Sequence, residues 1–162
     1  MEEAPQQADY ERLIQLFHTG RTEEMRAGAE ALVKRFPQNG YAWKLLGVAL
    51  QAQGAEPIAA LRRAAELLPD DAGAQSNLGN AYRDVRRLDA ALECYRRAVR
   101  ISPGFSDGHF NLGNVLYDLE RFADAAESYR VALALRPDHA DALCNLGNTL
   151  DKLGRREAAV DA

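Results

Sequence analysis

Six of the seven asparagines in this 162-residue chain fall in three pairs: Asn77 and Asn80, Asn111 and Asn114, Asn145 and Asn148. Each pair belongs to the tetrapeptide NLGN. The i, i+3 spacing puts both side chains on one face of a helix. A carboxamide carries an acceptor oxygen and an NH2 donor, so it can bond both polar groups of a peptide backbone. An evenly spaced row of them could hold an extended peptide with little demand on that peptide's side chains. Asparagine is a poor helix former and glycine a worse one, so their recurrence at one spot in three helices asks for a reason. The competing reason is structural: the amides bond to neighbouring segments, or persist after duplication without any ligand. Phe110, Asn114 and Tyr117 follow at i, i+4 and i+7. They place an apolar spot beside an amide, with a core role for Phe110 as the alternative.

Other chemistry is sparse. His18, His109 and His139 lie far apart, and no HExxH, GxSxG, phosphate-loop or GxGxxG pattern occurs. No catalytic residue, cofactor or metal is expected in this segment. Cys94 and Cys144 have no metal or redox spacing, and read as two free thiols in a reducing cytoplasm. A net charge of −4 and a pI near 5.4 argue against a nucleic-acid partner, which would ask for a basic face. No apolar run reaches the roughly 18 residues of a membrane span, and the opening MEEAPQQADYE lacks the basic and apolar regions of a signal peptide.

The elements that must position the asparagines are set by a period. Gly79, Gly113 and Gly147 stand 34 residues apart, as do Pro69, Pro103 and Pro137, while Pro5, Pro37 and Pro69 stand 32 apart. Between prolines the pattern predicts helix, short turn, helix. One helix runs from Ala72 to about Val85, and the next from Leu88 to Ile101, stopped by Pro103. Leu78, Tyr82 and Val85 recur at helical spacing on the first, and Ala91, Tyr95 and Ala98 on the second.

These marks resemble the tetratricopeptide repeat. Gly79, Ala91, Tyr95, Ala98 and Pro103 match it in one unit, and Gly113, Ala125, Tyr129, Ala132 and Pro137 in the next. Gly147 and Ala159 match in the last unit, and Trp43, Leu46, Gly47, Leu50, Ala64 and Pro69 mark an earlier one. The resemblance implies an all-α, right-handed superhelical solenoid of about four and a half repeats. The units would be a divergent first repeat at 6–37, a shortened one at 40–71, full repeats at 72–105 and 106–139, and a truncated one at 140–162. Gly79 is expected to face Ala91 where the helices of its unit cross. No unit can bury its apolar face alone, so neighbours share a core.

In this family the first helix of each unit lines a concave groove, and the six asparagines, Phe110 and Tyr117 project there. The implied activity is non-catalytic binding of a protein or extended peptide. Asp84, Asp107, Asp118, Asp141 and Asp151 outnumber Lys44, Arg83 and Lys152 near that surface, favouring a neutral to mildly basic segment. The family's carboxylate clamp for acidic tails is missing: Lys44 is at a clamp-like place, but Val48, Gly73 and Asp107 replace the other clamp residues.

Several departures carry expectations of their own. Pro57 replaces the small residue expected opposite Gly47, and Leu13 and Met25 occupy the close-contact positions of the first pair. The closing RREAAVDA reads as part of a second helix that stops midway, as in a fragment of a longer protein. Ala142, Leu146 and Leu150 would then lie near an exposed end able to self-associate. LVKRFPQNGYAWKLLGVAL and LRRAAELLPDDAGAQSNLGN also resemble the N-terminal arm of bacterial proteins similar to O-linked N-acetylglucosamine transferase. That likeness implies a substrate-recognition arm whose catalytic domain lies beyond residue 162, with the same asparagines holding protein substrates.

Overall fold

The computed structural model describes residues 5–160, with side chains as far as Gly154. The described residues form nine helices and no strand: α1 (Gln7–His18), α2 (Thr22–Arg35), α3 (Gly40–Ala52), α4 (Ile58–Leu67), α5 (Ala72–Asp84), α6 (Leu88–Ile101), α7 (Ser106–Asp118), α8 (Phe122–Leu135) and α9 (Ala140–Val160). They divide into two compact units, Met1–Ala81 and Tyr82–Ala162. No helix among the described residues is long and apolar enough to cross a membrane.

The 34-residue period is written into the turns. Gly20, Gly54, Arg86 and Glu120 all have positive φ, between 58° and 72°. Each follows the first helix of a pair, and the next residue's N–H reaches back to the helix: Arg21 to Leu16, Ala55 to Leu50, Arg87 to Tyr82 and Arg121 to Leu116, at 2.8–2.9 Å. This is the left-handed closure that satisfies the last carbonyls of a helix and reverses the chain. Glycine adopts it freely, whereas Arg86 and Glu120 do so at a steric cost. The second helices end one or two residues before Pro37, Pro69, Pro103 and Pro137, because the residue ahead of a proline is driven out of helical geometry.

In the first unit, Leu13, Leu16, Met25, Ala29, Leu46, Ala49 and Ala60 make one core. Leu13 and Met25 are buried there, but the close approach comes from Gly28, where a Cβ would lie 2.6 Å from Leu13 Cδ2. Pro57 precedes α4 as its N-cap, and Leu61 rather than Pro57 covers Gly47, leaving only 2.4 Å for a Cβ. Two side chains fix helix starts here. Asn39 Oδ1 accepts from the Ala42 N–H at 2.9 Å, and Asp71 Oδ1 accepts from the Ala74 N–H at 2.8 Å, each relieving an unpaired first-turn donor.

In the second unit, Ala91, Tyr95 and Ala98 of α6, Val115 and Leu116 of α7, and Ala125, Tyr129 and Ala132 of α8 are buried. Gly113 meets the Tyr129 ring, which would stand 2.5 Å from a Cβ at that position. The side chain nearest this glycine is therefore a large aromatic. The last element departs from expectation. Gly154 stands 34 residues after Glu120, where the next turn is due, yet α9 continues through it as one helix to Val160. A continuous helix keeps all its backbone bonds, and the reversal is favoured only when a second helix packs back. Ala142 is fully buried and Leu146 half-buried, so of the three residues expected near an exposed end only Leu150 is exposed. Ala159 lies outside the described side chains.

Candidate functional site

The second unit contains a cavity of about 230 Å³ lined by Arg83, Asn114, Tyr117, Asp118, Tyr129, Asn145 and Asn148. Helical spacing explains the set: Asn114, Tyr117 and Asp118 share a face of α7, as Asn145 and Asn148 share a face of α9. Tyr129 reaches in from α8, and Arg83 from the last turn of α5.

The floor is a closed network. Asn114 is 8% exposed. Its Oδ1 accepts from the Tyr129 hydroxyl at 2.8 Å and from Asn145 Nδ2 at 2.9 Å. One carboxamide oxygen thus satisfies a buried phenol and ties α7 to α9. Burial pushes the Tyr129 hydroxyl up to about 12, so it stays a neutral donor. Between Asn114 and Asn145, the structural role of the amides is realised: they bond each other across one repeat. The Thr149 hydroxyl donates back to the Asn145 carbonyl at 2.6 Å, as a buried threonine in a helix commonly does.

The wall is an ion pair. Arg83 Nε donates to Asp118 Oδ2 at 2.6 Å, with side-chain exposures of 38% and 19%. Burial works against the Arg83 charge, but the hydrogen bond to Asp118 and the Asp118 charge, with Tyr95 and Tyr129, together outweigh it and hold the guanidinium pKa above its ordinary value. The pair leaves the cavity electrically balanced. Asn148 is exposed and completes the rim with Tyr117, whose ring meets Phe122 edge-on at 5.3 Å.

Of the eight residues projected onto a groove, the structure thus brings four to this cavity: Asn114, Tyr117, Asn145 and Asn148. Asn111 is half-buried on α7, and Asn77 and Asn80 are half-buried in the first unit. Phe110 is a packing residue, its ring 4.6 Å from His139 and 6.0 Å from Tyr129. Sequence reasoning noted Arg83 and Asp118 only as charges and Tyr129 only as a repeat mark. Their signal was present: opposite charges 35 residues apart, one period and one residue. Lys44, the clamp-like lysine, is held by Asp71 at 2.9 Å. Among the described residues no cluster of histidine, cysteine and carboxylate side chains could hold a metal ion.

Helical hairpins repeated every 34 residues, with a polar cavity between first helices, define a repeat scaffold of the kind that mediates protein interactions. The tetratricopeptide repeat profile matches residues 72–105, and a TPR repeat profile matches residues 113–154; the chain carries tetratricopeptide repeats over those residues. The crystal structure of MamA is similar in fold, with a TM-score of 0.79 and 22% identity over 91% of this chain and 87% of that one. YrrB, a TPR protein with an unusual peptide-binding site, is similar at a TM-score of 0.76 and 18% identity, over 98% of this chain and 82% of that one. At these identities the likeness is one of fold. No curated protein matches the chain.

Proposed function

We propose that the chain binds an extended, neutral to mildly basic protein segment, and that the cavity between α7 and α9 is its contact point in the second unit. The observation that carries this reading is the division of labour among the asparagines. Asn114 and Asn145 are engaged with each other and with Tyr129, and that network holds exposed Asn148 beside Tyr117 at the opening. A preorganised amide next to a phenol offers donors and acceptors to a peptide group without first having to be ordered, which favours binding. The Arg83–Asp118 pair neutralises the wall, so a strongly acidic segment gains nothing there and a buried lone charge would be penalised. No bond is made or broken; binding is reversible.

Probing an array of extended peptides with the folded chain tests this directly. Capture of uncharged and mildly basic sequences, weakened by Asn148→Ala, is expected. Preferential capture of acidic sequences would overturn the charge argument. A recognition arm of a glycosyltransferase would use the same asparagines, and the coding sequence after Ala162 decides that reading.

A further inference from the structure

The polar groups around the cavity between α7 and α9 are not equally engaged. On the floor, Asn114 Oδ1 already accepts twice, from Tyr129 and from Asn145. On the wall, Arg83 and Asp118 share a single hydrogen bond, from Nε to Oδ2, and Arg86 Nη1 stands 3.9 Å from the same oxygen. Asp118 Oδ1 and the terminal nitrogens of Arg83 make no hydrogen bond among the described residues. A guanidinium carries several N–H donors and a carboxylate a second oxygen. The pair therefore lines the cavity with donors on one member and an acceptor on the other, while its charges cancel.

We propose that the cavity reads one side chain of the bound segment and selects a primary carboxamide, that of glutamine or asparagine. This selection rests on the cavity being the segment's contact point. The volume, about 230 Å³, falls below the roughly 300 Å³ at which small-ligand pockets begin, and suits one side chain. A carboxamide is uncharged and presents an N–H and its oxygen on one edge. Its N–H donates to Asp118 Oδ1 and its oxygen accepts from Arg83. A trans peptide group points its N–H and C=O in opposite directions, so it cannot bond both members of the pair. The backbone is left to Asn148 at the rim.

Other occupants fit less well. A carboxylate pairs with Arg83 but faces Asp118. An ammonium group pairs with Asp118 but faces Arg83 and, further out, Arg86. Each meets a like charge. An aliphatic side chain displaces water from both members of the pair and returns no hydrogen bond to either.

The test is a substitution scan of the tightest array peptide, each position replaced in turn by glutamine, leucine, glutamate and lysine, and titrated with the folded parent chain at fixed salt. At one position glutamine should bind at least about tenfold tighter than the other three. Asp118→Asn conserves shape and leaves the Arg83 charge without its counter-charge. In that variant, folded by circular dichroism, the preference at the same position should move from glutamine to glutamate. An ion pair with a merely structural role would weaken all four peptides alike. Peptides that bind with no position favouring glutamine, or a glutamine preference unchanged in Asp118→Asn, would overturn the selection and leave segment binding intact. Capture of no peptide at all would overturn both. The scan on the parent chain decides the matter even where Asp118→Asn fails to fold.

Discussion

Replacing Asn114 by alanine removes an acceptor that serves two donors at once. The Tyr129 hydroxyl loses its partner at 2.8 Å and Asn145 Nδ2 loses its partner at 2.9 Å. Each such bond contributes about 1 kcal/mol net, but an orphaned buried donor costs about 1–3 kcal/mol. Tyr129 is 1% exposed, so its hydroxyl cannot simply turn to water, whereas Asn145 is half-buried and partly can. The loss is therefore about 2–3 kcal/mol, offset by roughly 0.6 kcal/mol because alanine is the better helix former. A net destabilisation of about 2 kcal/mol is expected by urea or thermal unfolding. Tyr129→Phe, which removes the donor and leaves Asn114 bonded to Asn145, should cost only about 1 kcal/mol. The double variant should fall short of the sum by about 1 kcal/mol, since both changes break one bond. An Asn114→Ala variant within about 0.5 kcal/mol of the parent, which is the ordinary range for surface substitutions, would refute the network reasoning.

Asp71→Ala should destabilise by about 1.5 kcal/mol, because it removes the cap on Ala74 and leaves Lys44 without its carboxylate. Burial alone would raise the Asp71 pKa, but the Lys44 hydrogen bond, the Ala74 N–H and the Lys44 charge together hold it below 3.8. Its contribution is thus present above that pH and lost as pH falls through the lowered value; acid titration of the parent against Asp71→Ala should show the two converging. Arg86→Gly should stabilise by about 0.5 kcal/mol. Relief of a left-handed conformation, about 1–2 kcal/mol, exceeds the greater freedom of glycine in the unfolded chain, and the 3.9 Å contact to Asp118 at 69% exposure adds little. With the Tyr129 pKa raised to about 12 against about 10 unfolded, its contribution is full below pH 10 and is lost as pH rises from there towards 12. Burial raises the Tyr95 hydroxyl as well, so tyrosinate absorbance should show more than one late-titrating group in the parent and one fewer in Tyr129→Phe.

The hairpins were legible because period and punctuation agree. Leu88 and Ile101 bound α6 as the pattern required, and the prolines ended each second helix. The pattern also put Asn114 and Tyr117 on one face of α7 and Asn145 and Asn148 on one face of α9, and these four line the cavity. What it could not supply was pairing. That Asn114 belongs to Tyr129, and Arg83 to Asp118, depends on side-chain reach between different helices, which a one-dimensional period does not encode. The side chains that cover the packing glycines were not legible for the same reason. Gly113 takes an aromatic ring and Gly47 takes Leu61, because the crossing point depends on how far each helix slides along its neighbour. At Gly154 the local signal favours a turn, yet the helix persists: the reversal needs packing that local preference alone does not provide.

The central claim is that a fixed amide network presents Asn148 and Tyr117 to a bound segment. Calorimetric titration of the best array peptide into the parent and into Asn148→Ala measures this most directly. Asn148 is exposed, so its loss should leave thermal stability unchanged. It should weaken binding about tenfold, equivalent to about 1.4 kcal/mol, the upper range for one neutral hydrogen bond. Binding as tight as the parent in a folded Asn148→Ala chain would contradict the account.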